Sequence, residues 1–205
     1  MSDTSPQQQS TTLPGRLEAF SDGVLAIAIT LLILEITVPD ADDGSLWRQL
    51  GALWPSYLAY AVSFLTIGIM WVNHHRMTRR LISVDHGFIY RNLALLGFVA
   101  FLPFPTAVLA DYLTEGGSNA KAAAAFYGLT MVAVSASFGL LWLHVRRTPE
   151  LSAPGASAEV HSDVVGSAIA VAIYAVAMGV SIVSAVAALA VYGAVAVAFA
   201  FRRFD

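Results

Sequence analysis

Residues 23–38, GVLAIAITLLILEITV, form an apolar run interrupted only by Thr30, Glu35 and Thr37, and Arg16-Leu-Glu-Ala-Phe20-Ser21-Asp22 stands directly before it. The run predicts a helix over about 20–38, close to the roughly 20 residues that hydrocarbon requires. Arg16, Glu18, Ser21 and Asp22 then lie at its mouth. A carboxylate entering a bilayer is costly unless it is paired, so Asp22 marks a functional or architectural position. Ile27, Leu31, Leu34 and Val38 recur at the spacing of one helix face. That stripe reads either as ordinary bundle packing or as a ring of aliphatic side chains closing a pore.

Composition makes the membrane the solvent for the rest of the chain. Apolar residues make up 57% and charged residues only 12%, far from a soluble average. Six spans are expected, at about 20–38, 54–74, 90–110, 122–144, 164–182 and 184–201. Residues 1–15, rich in Ser, Thr and Gln, read as a disordered tail, and 16–205 as one transmembrane domain. Pro39 ends the first span before the acidic loop of Asp40, Asp42 and Asp43. Pro103 and Pro105 predict a kink near the outer end of the third. The run 164–201 is too long for one helix and divides near Ser181–Ser184. The chain has no cysteine, so disulfides and thiolate metal sites are excluded. It also lacks the basic domain that nucleic-acid binding requires.

Arginine placement gives the orientation. With six spans, Arg16, Arg76, Arg79, Arg80, Arg91, Arg146, Arg147, Arg202 and Arg203 share one side, and Arg48 and Lys121 the other. The positive-inside rule then puts both termini in the cytoplasm of a multi-pass protein of the cell membrane. An odd number of spans would place Arg202 and Arg203 outside.

Three patterns begin near that cytoplasmic surface: Arg16-x-x-x-Phe20-Ser21-Asp22, Trp71-Val-Asn73-His74-His75-Arg76, and the stretch from Asn92 to Leu102-Pro103-Phe104-Pro105-Thr106. At 100° per residue, Asp22 lies about 140° around the helix from Ile27, away from the aliphatic stripe. Arg16, Asp22, Asn73, His74 and Asn92 are expected to meet in one polar cluster. The cluster reads as a satisfied network pinning three helices, or as a direct participant in permeation or proton sensing.

Together these patterns resemble the transmembrane protein 175 family, the lysosomal potassium channels and their bacterial homologues. The resemblance covers all six spans in order and is most specific in the first three. It implies an all-α membrane protein with six transmembrane helices per subunit, assembled as a homotetramer whose first helix lines a central pore. On that resemblance Ile27 is the narrowest hydrophobic position, with Leu31 and Leu34 continuing the constriction outward. Thr30 matches a threonine layer that favours potassium, and Arg16, Phe20, Ser21 and Asp22 match the motif holding the first helix. The implied activity is passive, potassium-selective conduction. Its partners are other copies of the chain, the bilayer and potassium as permeant, with no cofactor and no enzymatic role.

The residues accommodate that implication. Four Ile27 side chains would exclude water unless the helices move apart, which is gating by dewetting. No TVGYG segment is present to build a carbonyl filter, and no span repeats arginine as a voltage sensor does. Thr30 lies about 60° from Ile27, at the edge of the same face. A threonine bonded to its own helix backbone would read identically. A secondary transporter is the alternative function, although residues 1–100 and 101–205 show no paired repeat. A metalloenzyme would have to use His74, His75, Asp85 and His86, but adjacent histidines diverge by about 100° on a helix. Glu35 reads as a cation-attracting mouth residue or a solvated one. Trp47, Trp54 and Tyr57 read as an outer interfacial belt and Trp142 as an inner one.

Overall fold

The computed structural model describes residues 14–39 and 44–201, with the side chains of 200 and 201 left aside. The expected tail, except for Pro14 and Gly15, falls outside the described residues, as do Asp40, Asp42, Asp43, Arg202 and Arg203. Helix dominates the described residues, and an isolated antiparallel bridge pairs Leu81 with Ser152.

Helix α1 runs Pro14–Leu31 and tightens into a 3-10 turn over Leu32–Glu35. It begins before the expected 20 because proline suits a first helical position, where its missing N–H costs nothing. It also ends before Val38. Ile36, Thr37 and Val38 are β-branched, Pro39 disfavours helical geometry in the residue before it, and Ile36 is already extended. Helix α2, Leu46–Ala52, is not signalled by the sequence pattern. It is followed by α3, Trp54–Thr78, with Pro55 in its first turn.

Helices α4 (His86–Phe101) and α5 (Pro103–Tyr112) are two halves of one span, broken at Leu102 where the prolines withhold backbone donors. Helix α6, Gly117–Arg147, opens on two glycines of positive φ, its N-cap Gly116 and first residue Gly117, and ends ahead of Pro149. Helix α7, Ser157–Val180, starts just past Pro154–Gly155, seven residues earlier than the expected 164. After Ser181–Ser184 comes α8, Ala185–Phe201. Five units, Pro14–Glu35, Trp54–Thr78, His86–Tyr112, Gly117–Arg147 and Ser157–Val180, are long and apolar enough to cross a membrane, and Ala185–Phe199 is a shorter apolar helix.

The most extensive packing joins α6 to α7, while α1 lies against α3 and α4. Lipid tails are as apolar as leucine, so these helices associate by close contact and hydrogen bonding rather than by hydrophobic burial. Ser63 of α3 bonds Thr106 of α5 at 2.8 Å and Tyr127 of α6 at 3.1 Å. Tyr192 of α8 donates to the Ala124 carbonyl at 3.1 Å. Gly128 permits that crossing, since a Cβ there would sit 2.2 Å from the tyrosine oxygen. Trp142 departs from its expected role as a membrane belt residue. It is buried, and the Arg80 guanidinium lies 5.7 Å from its ring centre, a cation–π geometry.

Candidate functional site

Helix α1 has one covered face and one open face. Ser21, Leu25, Ala28 and Leu32 are buried, at the three- and four-residue spacing of a single helix side. On the other side Ile27 is 61% exposed, Leu31 40% and Leu34 71%, with Thr30 between them and Phe20 one further turn pair below. The aliphatic stripe is therefore turned away from this subunit's own bundle. The Thr30 hydroxyl donates to the Ile27 carbonyl at 2.9 Å. Its oxygen keeps its lone pairs, because donation uses only the hydrogen.

The covered face is tied down by a directional relay. Asn92 Oδ1 can only accept, so His74 Nε2 donates to it, at 2.8 Å. Asn92 Nδ2 then donates to Ser21 Oγ at 2.9 Å, and Ser21 Oγ donates to the Leu17 carbonyl at 2.8 Å. His74, Asn92 and Ser21 are all fully buried. The relay thus fixes one histidine tautomer and joins α3, α4 and α1 at a single point. His74 Nδ1 remains buried without a hydrogen-bond partner among the described residues.

The expected five-residue cluster is only partly assembled. Asp22 is half-buried and accepts from Trp71 Nε1 at 2.9 Å, not from His74 or Arg16. Arg16 is exposed and pairs with no carboxylate among the described residues, because it lies on the open side of α1. Asn73 is turned elsewhere. It lines a cavity between α3, α6, α7 and α8, and successive helix positions diverge by about 100°. His75 Nδ1 instead meets Glu18 Oε1 at 2.8 Å, and its ring stacks on Trp71.

Three further acid–base contacts, in two groups, lie at the same end of the bundle. His144 at the end of α6 donates through Nε2 to Asp85, at 2.9 and 3.0 Å from its two oxygens. Asp85 also caps α4 by accepting from the Phe88 amide at 2.6 Å. Partial desolvation pushes this carboxyl up, but the Phe88 amide and His144 together hold it below its ordinary value. Gly87 makes room for the imidazole, since a Cβ there would lie 2.8 Å from its Cε1. Arg80 pairs with Asp163 and, at 3.2 Å, with Glu159 of α7. None of the three carries a sequence signal, because each joins residues more than fifty positions apart.

Comparison with known proteins assigns the family. Residues 16–103 match the family model described as endosomal/lysosomal potassium channel TMEM175. The crystal structure of a lysosomal potassium-selective channel TMEM175 homolog from Chamaesiphon minutus superimposes with a TM-score of 0.84 at 41% identity, covering 92% of this chain and 97% of that one. The chain belongs to the TMEM175 family. A potassium channel of Streptomyces collinus is 49% identical over 195 residues, 92% of each chain. One from Chamaesiphon minutus is 42% identical over 201 residues, 96% of this chain and 97% of its own. The stretch matched by the TMEM175 model holds the whole Ser21–Asn92–His74 relay and the open face of α1. The partners His144, Glu159 and Asp163 lie beyond it.

Proposed function

We propose that this chain is a potassium-selective channel of the cell membrane. Four copies surround an axis, each with six spans and both termini in the cytoplasm, and the open face of α1 lines the pore. The observation that carries this reading is the division of α1. Its buried side is bonded to α3 and α4, while Ile27, Thr30, Leu31 and Leu34 are left uncovered by the subunit itself. The bacterial relatives that match nearly the whole chain are named potassium channels.

In that assembly the residues divide the work. Ile27 forms the narrowest ring, and Leu31 and Leu34 extend the dry neck outward, so conduction requires hydration of an aliphatic constriction. Thr30 supplies the hydroxyl layer of the neck, and four such oxygens replace part of an ion's hydration shell. Ser21, Asp22, His74 and Asn92 set the position and tilt of α1, and conduct nothing themselves. Phe20 sits on the open face at the cytoplasmic mouth, and Arg16 adds positive charge beside it.

Potassium and sodium fluxes through the purified protein in liposomes test the reading. Passive potassium flux exceeding sodium flux, without a coupling-ion gradient, is the expected result. Flux that demands a second ion gradient would make the protein a transporter, and equal fluxes would remove the selectivity.

A further inference from the structure

Behind the anchor, on the side of α3 away from α1, a cavity of about 70 Å³ lies among α3, α6, α7 and α8. That exceeds the roughly 10–15 Å³ that a single water needs. Its walls are chiefly apolar and aromatic, with Met70, Met131, Phe138, Trp142 and Phe199 among them, and no charged side chain of the described residues lines it. Asn73 lines it too, and the buried Asn73 Oδ1 has no hydrogen-bond partner among the described residues. A buried amide oxygen without a donor is destabilising, so a group that donates to Asn73 Oδ1 is favoured here. The cavity is separate from the open face of α1, and its existence does not depend on conduction.

We infer that this cavity binds a small neutral amphiphile of the alkanol class, its hydroxyl on Asn73 and its alkyl chain against Phe138, Trp142 and Phe199. A hydroxyl both donates and accepts, so it satisfies the Asn73 amide whichever end it meets. A charged ligand would enter with no counter-charge to offset its desolvation. Water alone satisfies the amide but leaves the aromatic walls without contacts. Asn73 stands between Trp71, which holds Asp22, and His74, which holds Asn92. An occupant here therefore bears on the two α3 residues that anchor α1.

Photolabelling with 3-azioctanol tests the site on the full chain in phosphatidylcholine liposomes, with adducts mapped by mass spectrometry. Adducts are expected on Phe138, Trp142 or Tyr174, suppressed by excess 1-octanol but not by n-octane. Asn73→Leu should weaken that protection about tenfold, the loss of one hydrogen bond. A Cβ at Gly166 meets no heavy atom within 4 Å, so Gly166→Leu should grow into the void and abolish the labelling. Three results would overturn the site: unlabelled cavity residues, labelling that 1-octanol leaves in place, or labelling unchanged in Gly166→Leu. Equal protection by n-octane would overturn the role of Asn73, and that comparison needs no variant.

Discussion

The indole of Trp71 donates to the Asp22 carboxylate at 2.9 Å, joining the start of one motif to the end of another across 49 residues. The bond places the Asp22 charge at the boundary of α1 and α3, off the open face. It also explains why a carboxylate is tolerated so near the hydrocarbon, since a charged acceptor gains more from a donor than a neutral one does. Trp71→Phe keeps the ring stacked on His75 and removes only the donor. The expected cost is about 1–3 kcal/mol, read as a lower melting temperature of the purified protein. Asp22→Ala should weaken assembly more than ion preference. A stable Asp22→Ala oligomer that had lost its potassium preference would assign Asp22 to the pore instead.

The relay predicts an order of effects. Asn92 serves two partners, so Asn92→Ala strands both the His74 N–H and the Ser21 oxygen. Ser21→Ala strands only the Asn92 amide. We expect Asn92→Ala to cost about 3 kcal/mol and Ser21→Ala about half of that, since each buried orphan costs about 1–3 kcal/mol. Thermal melts of the two variants, and of the double variant, check the order. A larger loss in Ser21→Ala would break this chain of donors.

Asp85 gives a pH dependence whose sign is fixed. Its carboxyl is held below the ordinary value of 3.8, so its stabilisation is fully present above that value. The contribution is lost as pH falls from there through the depressed value. Melting temperature should therefore be more acid-sensitive in the native chain than in Asp85→Asn, with the two curves converging at the acid end. Parallel curves would mean that Asp85 contributes nothing through its charge.

Much of this arrangement is legible in the order of residues alone. The spacing of Ser21, Leu25, Ala28 and Leu32 against Ile27, Leu31 and Leu34 divides α1 into two faces, because 3.6-residue periodicity survives in an apolar segment. Proline punctuation places the break at Leu102, whereas α7 begins at Ser157, ahead of the expected 164. Long-range partners are not legible. Asp22 with Trp71 and Asp85 with His144 depend on how helices rotate against one another, and that rotation leaves no periodic trace. Asn73 and His74 look alike as neighbours in one motif, yet the helical step sends one into a cavity and the other into the relay. Trp142 reads as a belt residue from its place near a span end, and only packing beneath Arg80 moves it inside.

Ile27 is expected to be the gate of the proposed pore. Ile27→Asn keeps similar bulk and brings a polar group into the aliphatic neck, so water enters and basal potassium flux rises. The Leu34→Asn variant, further along the stripe, should raise it less. Liposome flux compares the three proteins directly. An unchanged flux in Ile27→Asn beside a raised one in Leu34→Asn would move the constriction outward.

Thr30 carries the last prediction. Its hydroxyl hydrogen is committed to the Ile27 carbonyl, which fixes the rotamer and leaves the oxygen lone pairs for a cation. Bonding to the helix backbone and serving as an ion ligand are thus compatible, since a cation needs only an acceptor. Thr30→Val preserves the shape and removes the oxygen, whereas Thr30→Ser preserves the oxygen and removes a methyl group. The potassium-to-sodium permeability ratio should fall toward one in Thr30→Val while flux persists, and stay near the native value in Thr30→Ser. A native ratio in Thr30→Val would confine the hydroxyl to its backbone bond. The preference for potassium would then rest on the width of the aliphatic rings alone.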